Sequence, residues 1–331
     1  MTRVAITATG RYFPKRSEPN SYFYEKLGLE TNEEWIRSRT GIQERRIADI
    51  SAGECTASMG TAAARSCLER AGLDASQVDG IIVGTITPDM TFPAAACLIQ
   101  QQLGASKAFA WDVSAACSGY IFSLAQAYAL INSGMAKRIL VVGSETMSSI
   151  LDYTDRNSCI IFGDGAGATL VEATTDRGGE LLDFCMHSDG SGADYLRMPG
   201  GGAAMPASHE SVDARAHFVK QDGRTVFKHA VTRISEVILE LLERNNLSSE
   251  DIKLFVPHQA NIRILEACSR KLKVPFDKIM VSVDRWANTT AATIPTTLDL
   301  AIEENRIKKG DYVVFATFGA GFTWGSTLLR Y

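Results

Sequence analysis

Residues 112–128 read DVSAACSGYIFSLAQAY, and the placing of Cys117 within this stretch shapes every other reading of the chain. A strand-like stretch ends here and a helix-like one begins. Ala115, Ala116, Ser118 and Gly119 surround the cysteine. A structural thiol usually sits among larger aliphatic side chains. Small neighbours instead leave room for a substrate. A cysteine at a helix start also meets the positive end of the helix dipole, which is expected to lower its pKa and favour the nucleophilic thiolate.

Outward from this stretch, apolar runs such as DGIIVGT, RILVVGSE, SCIIFGDGAGATLVE, KLFVPHQ and DYVVFATFG alternate with helical patterns along the whole chain. That alternation predicts an α/β protein with buried sheets. Residues 188–212 are rich in Gly, Pro and Ser and read as one long loop, a place where function often resides.

The chain repeats itself. LERAGLDASQVDGIIV begins at Leu68 and LERNNLSSEDIKLFVP at Leu242, an offset of 174. The Val-Val pairs of RILVVGSE and DYVVFATF are offset by 172. Two ordered matches near half the chain length predict two similar halves, residues 1–174 and 175–331. The 172 offset carries Cys117 to Thr289, beside Asn288 in DRWANTTAATIP. The 174 offset carries Gly84 to His258 in VPHQANIRI. Cys117, His258 and Asn288 are thus expected at strand ends near the join of the halves. FGDGAGA at 162–168 is read as a tight turn between strands and not as a phosphate loop, because no helix pattern follows it.

Composition narrows the classes. The 331 residues are 45% hydrophobic and 22% charged, with a net charge of −4, which argues against a general nucleic-acid binder. No signal-peptide pattern opens the sequence and no apolar run reaches a membrane span, so a cytoplasmic protein is expected. Seven cysteines (Cys55, Cys67, Cys97, Cys117, Cys159, Cys185, Cys268) lack CxxC spacing, and the five histidines lack metal-ligand spacing. Free thiols and no metal are expected. Apart from Cys117 and Cys159, which lies near Arg156, the cysteines read as small buried hydrophobes.

EEWIRSRTGIQERRIA, DVSAACSGYIFSLAQA, DRNSCIIFGDGAGA, VPHQANIRI, DRWANTTAATIP and FGAGFTWGSTLLRY occur in one order along almost the whole chain. In that order and spacing the sequence resembles the β-ketoacyl-acyl-carrier-protein synthase III family of the thiolase superfamily. The resemblance implies a thiolase-like five-layer αβαβα fold of two pseudo-duplicated halves. It implies decarboxylative condensation of an acyl-CoA primer, acetyl-CoA by expectation, with malonyl-acyl carrier protein, in a cytoplasmic homodimer that needs no cofactor. Cys117 would be the nucleophile, and His258 and Asn288 would stabilise the enolate. The N–H groups of Cys117 and Ala320 would form the oxyanion hole. Trp35 and Arg156 would sandwich the adenine of CoA with Arg39 nearby, and Gly223, Phe227, Ala260 and Asn261 would line the pantetheine tunnel. Lys228 and the run Gln259, Ala260, Asn261, Ile262, Arg263 would meet the carrier protein. Met147, Phe162, Leu196, Phe318 and the partner subunit's Phe92 would shape the acyl pocket.

Two alanines, Ala287 and Ala320, stand where the family usually has glycine, and residues 15–31 are less typical of it. Other superfamily condensing enzymes, such as type III polyketide synthases and hydroxymethylglutaryl-CoA synthases, share the Cys, His and Asn but usually have longer chains. A biosynthetic thiolase would need a second catalytic cysteine near TFGAGFTWG, where none occurs. A papain-like hydrolase would need a different sequence around its cysteine. The intact Cys117, His258 and Asn288 argue against a non-catalytic CoA-binding scaffold. Basic residues collect at Lys220, Arg224, Lys228 and Arg233, and again at Arg263, Arg270, Lys271 and Lys273. On an acidic chain they are expected to attract an acidic partner.

Overall fold

The apolar runs become strands buried on both faces. In the computed structural model, which describes residues 3–174 and 176–331, nine strands form one hydrogen-bonded sheet: β1 (Arg3–Tyr12), β2 (Gly80–Gly84), β3 (Phe109–Val113), β4 (Arg138–Glu145), β5 (Gly165–Thr174), β6 (Gly179–Ser188), β7 (Ile252–Pro257), β8 (Tyr312–Gly319) and β9 (Thr323–Arg330). Their order is β7-β8-β9-β6-β1-β5-β4-β2-β3. β2 runs parallel to β3 and β4, β7 runs parallel to β8, and the other pairings are antiparallel. β1 and β6 meet through Ala5 with Glu180 and Ile6 with Gly179, and this short seam joins two half-sheets.

Seven longer helices cover these strands: α1 (Glu33–Thr40), α2 (Thr56–Ala71), α3 (Ala95–Leu103), α4 (Gly119–Asn132), α5 (Gly223–Arg244), α6 (Ile262–Leu272) and α7 (Thr293–Glu303). Alternating strand residues point into different apolar clusters, as a period of two requires. Ile81 and Val83 pack with Met59 and Ile99 of α2 and α3, whereas Ile82 between them packs with Ile121 and Leu124 of α4. Val314 packs with Val237 and Leu265 of α5 and α6, whereas Phe315 joins Leu124 and Leu298 in the middle. Helices α4 and α7 are therefore enclosed between the half-sheets, and Thr293 through Ala301 are all buried. The layers run α2/α3, sheet, α4/α7, sheet, α5/α6, which is the αβαβα arrangement expected.

The halves repeat with an offset of 174. Strands β4 and β8 start at 138 and 312, short 3-10 turns span 116–118 and 290–292, and helices α4 and α7 start at 119 and 293. Ala116 and Thr290 both hold positive φ, 46° and 54°. The backbone match of Cys117 is thus Ala291, and Asn288 matches Ser114. The 172 offset was misleading because a slip of two along a strand leaves every side chain on the same face, so the apolar pattern cannot detect it. The β3 counterpart in the second half is reduced to one parallel bridge between Phe255 and Ile279.

Other expectations need correction. A short helix, Arg156–Cys159, precedes Phe162, so SCIIF is not a strand; Asp155 caps that helix through the Asn157 N–H. Strand β5 starts at Gly165, and no helix follows the glycines. Cys97 is exposed and Cys55 half-buried, while Cys67, Cys185 and Cys268 are buried; all seven are free thiols. Lys220 belongs to a two-residue strand, not to the helix carrying Arg224, Lys228 and Arg233. Residues 188–212 are mostly loop, with short pieces at Gly190–Gly192, Leu196–Arg197 and the start of His209–Asp213. Among the described residues, no helix is long and apolar enough to cross a membrane.

Candidate active site

The cysteine turn is stapled to the second half. The Thr317 hydroxyl donates to the Cys117 carbonyl at 2.9 Å, and the Ser118 hydroxyl to the Thr323 carbonyl at 3.1 Å. Gly319 lets the end of β8 pass close by, since a Cβ there would lie 2.9 Å from the Cys117 nitrogen. That approach brings Ala320 beside Cys117, and both line one cavity. The left-handed Ala116 redirects the chain from β3 into α4 within five residues, 114–118.

His258 follows β7, where its N–H donates to the Ala316 carbonyl at 2.8 Å. Its Nδ1 lies 2.7 Å from the Thr293 hydroxyl, which is itself 2.9 Å from the Thr290 carbonyl. The Asn288 N–H donates to Ile161, and its carbonyl accepts from Gly163 at 3.1 Å. Its Oδ1 accepts the Thr290 N–H at 2.8 Å, so the amide NH2 is the end that a ligand can meet. Just before it, Ala287 has φ 57° and ψ −159°, a backbone region that essentially only glycine tolerates. The family's usual glycine at this position thus has a backbone reason, and alanine holds the same conformation under strain.

Cys117, His258, Asn288 and Phe318 line a cavity of about 770 Å³. Trp35, Arg39, Gly223, Arg224, Phe227, Ala260, Asn261 and Arg263 line the same space. A second cavity of about 430 Å³ is lined by Cys117, Ala320, Met147, Ile86, Ile150 and Val219. Phe162 and Leu196 line both. Cys117 therefore sits at the junction of two cavities, the larger one lined by three arginines, Arg39, Arg224 and Arg263, and the smaller one mainly apolar.

Some expected positions behave differently. Arg156 stacks directly on Trp35, 4.7 Å from the ring centre, and donates to the Glu30 carbonyl. A base does not fit between groups so close, so the expected adenine sandwich is not open in this arrangement. Arg39 lies 5.9 Å from the Trp35 ring. Gln259 is 1% exposed and cannot meet a protein partner. Its amide donates to the Pro257 and Met280 carbonyls and accepts from the Ser282 and Val283 N–H groups, tying β7 to the following segment. Ile262 packs under Gly41, and Asn261 caps α6 through the Arg263 N–H. Lys228 is exposed on α5 outside the cavity wall. Phe92 is 83% exposed and lines neither cavity.

Electrostatics overturn the expectation of a ready thiolate. Burial pushes the Cys117 thiol up, the nearby Glu145 pushes it further, and the residue's own N–H opposes this only weakly. Burial thus acts against the pull of the helix start and favours the neutral thiol. His258 is pushed down to about 3 by burial, so its ring is neutral. Glu145 is pushed up to about 7 by burial, against hydrogen bonds from Thr87, Ile86 and Thr85. Thr290, Thr293 and Glu145 were missed in the sequence. Only the unusual threonine density of ANTTAATIP hinted at the first two, and no spacing rule singles out a glutamate at a strand end.

Residues 111–190 match the description "3-Oxoacyl-[acyl-carrier-protein (ACP)] synthase III", and residues 242–331 match its C-terminal counterpart. A "Beta-ketoacyl-[acyl-carrier-protein] synthase III" from Koribacter versatilis is 47% identical over 332 residues, covering 99% of this chain and 98% of the relative. Its namesake from Solibacter usitatus is 47% identical over 333 residues, covering 100% and 99%. The crystal structure of 3-oxoacyl-[acyl-carrier-protein] synthase III from Aquifex aeolicus is 40% identical and superposes with a TM-score of 0.90 over 100% of both chains. With the αβαβα layers and the shared cavity of Cys117, His258 and Asn288, these matches show that the chain belongs to the β-ketoacyl-acyl-carrier-protein synthase III family, condensing acyltransferases of fatty acid biosynthesis.

Proposed function

We propose that this chain condenses an acyl-CoA primer, acetyl-CoA in the simplest case, with malonyl-acyl carrier protein to give a 3-oxoacyl product, CoA and CO2. The observation that carries this reading is the position of Cys117 between two cavities, one shared with His258 and Asn288 and one mainly apolar. The arginine-lined passage suits a phosphate-bearing thioester arm and the smaller apolar pocket suits an acyl chain.

In the first half-reaction the Cys117 sulfur attacks the acyl carbonyl, and its proton leaves with the departing CoA sulfur. Because the thiol is held protonated by burial, attack and proton loss proceed together. In the second, the bond from the malonyl carbon to its carboxylate breaks, CO2 leaves, and the electron pair passes into an enolate. Asn288 Nδ2–H and His258 Nε2–H bind the enolate oxygen. The carbanion attacks the acyl-Cys117 carbonyl, the oxyanion rests on the N–H groups of Cys117 and Ala320 and collapses to the ketone, and the departing thiolate takes up a proton from water. No redox change occurs, and the chain's own donors carry the charge that develops at each step.

Residues 1–174 supply the nucleophile and residues 175–331 the enolate-binding pair. Arg39, Arg224 and Arg263 at the cavity wall suit the phosphates of CoA, and exposed Lys228 beside them suits an acidic carrier protein. Phe92, exposed in one chain, would be covered in a homodimer and reach the partner's acyl pocket. The enzyme is assigned to the cytoplasm, where CoA thioesters and carrier protein are available.

Separate assays of the half-reactions test this reading. In the variants His258→Ala and Asn288→Ala, intact mass should still show the acetyl adduct on Cys117, while CO2 release from malonyl-carrier protein falls about 100-fold or more. Loss of the adduct in both variants would mean that these residues activate the thiol instead.

A further inference from the structure

The neutral His258 ring carries one proton, and which nitrogen holds it is set by the partner of the other. Donation to an enolate requires the proton on Nε2, which leaves Nδ1 bare inside the protein. A bare buried nitrogen needs a donor. The group against Nδ1 is the Thr293 hydroxyl at 2.7 Å, and both residues are buried. Thr293 opens helix α7 directly after the turn that carries Asn288 and Thr290. It does not cap that helix; Ala292 holds the cap position. Its position in the repeat corresponds to Gly119 in the first half, so a hydroxyl occurs only in the half that holds the histidine.

We propose that Thr293 is a positioning residue that sets the proton on His258: its hydroxyl donates to Nδ1 and holds the ring as the Nε2–H tautomer, facing the cavity as a donor. This rests on the enolate-binding role given to His258 above. The Thr293 hydroxyl has a second acceptor, the Thr290 carbonyl at 2.9 Å. If its hydrogen pointed there, Nδ1 would have to donate to Thr293, and Nε2 would face the cavity without a proton. Thr290 also fixes Asn288 through its N–H. Thr290 thus holds the amide through its N–H, and Thr293, three residues on, meets the imidazole, so both enolate donors are oriented from the same chain segment.

The test combines Thr293→Val, which removes the hydroxyl at nearly constant shape, with Thr293→Ser, which keeps it. Nitrogen-15 spectra of labelled imidazoles report the tautomer; with five histidines in the chain, a His258→Ala sample identifies the relevant signal. The expected result is an Nε2–H tautomer in the wild type that is lost in Thr293→Val. CO2 release should fall about 10- to 100-fold in Thr293→Val with acetylation of Cys117 within about twofold of wild type, and Thr293→Ser should recover most of the rate. An Nδ1–H tautomer in the wild type would overturn the proposal. So would unchanged CO2 release in Thr293→Val, or equal loss in both half-reactions. If His258→Ala itself released CO2 at the wild-type rate, the role given to His258 would fall instead, which separates the two failures.

Discussion

The turns around Cys117 and Ala291 are one backbone device used twice. Each has a left-handed residue, Ala116 or Thr290, then a short 3-10 turn, then a buried helix. Each is approached by the middle strand of the opposite half at matched positions. Gly143 of β4 packs against Ala291, where a Cβ would lie 2.3 Å from the carbonyl oxygen, and Thr317 of β8 bonds the Cys117 carbonyl at 2.9 Å. The chemistry differs completely. The first turn has small residues and a sulfur. The second has Asn288, Thr290 and Thr293, and it organises polar groups around His258. A repeated fold thus places two equivalent turns face to face, and side chains alone make one the nucleophile and the other its electrostatic support.

The strongest way to break this comparison is to move the sulfur. Cys117→Ser should reduce condensation about 1000-fold or more, because an alcohol at that position lacks an activating base. Adding Ala291→Cys to Cys117→Ala should give no acetyl adduct by intact mass, since Gly319 and Ala320 pass beside Cys117, not beside Ala291. An adduct at 291 would show that the turn alone makes a nucleophile.

The matched strand ends offer a second contrast, Glu145 on β4 against Gly319 on β8. Glu145 keeps its proton to about pH 7 in the folded protein, from an ordinary value of 4.5. The folded state therefore binds a proton that the unfolded state has already lost, and stability falls as pH rises from about 4.5 to about 7, by roughly 3 kcal/mol. His258 acts in the opposite sense. Its pKa drops from 6.5 to about 3, so its contribution is complete above pH 6.5 and is lost as pH falls toward 3. Urea denaturation of Glu145→Gln should show a stability difference from wild type that grows in the variant's favour between pH 4.5 and 7.5. A difference independent of pH would mean that Glu145 is ionised throughout.

A third contrast lies in the strand contacts. Gly143→Ala should destabilise by roughly 1–3 kcal/mol, because the methyl meets a backbone carbonyl that cannot swing away. Thr317→Val should cost about 1 kcal/mol, the value of one hydrogen bond. Wild-type stability of Gly143→Ala in denaturant melts would mean that β4 does not approach the Ala291 turn this closely.

The smallest effect concerns strain. Ala287 gives the second turn an additional residue at positive φ, 57°. Ala287→Gly should stabilise by about 1 kcal/mol, as relief of strain exceeds the added chain entropy. No change in melting behaviour would show that the surrounding bonds at Asn288 already offset the strain.

Local sequence was enough to place the strand-to-helix step at Cys117, the alternating strands and the repeat, because each is written in neighbouring residues and in periods of two and 3.6. The family motifs also pointed to the residues that gather around the cavity. Arrangements between distant segments were not readable. The offset of 174 at the active-site turns emerged only from backbone register, which side-chain patterning leaves ambiguous by two residues. Gln259 was expected at a docking surface, but β7 buries it and four backbone groups claim its amide. Arg156 closes over Trp35 because chain segments far apart in sequence meet there. The resting thiol of Cys117 is likewise a tertiary property. A helix start favours thiolate locally, but burial between two half-sheets and the nearness of Glu145 set the opposite outcome, since desolvation depends on everything packed around the sulfur and not on its neighbours in sequence.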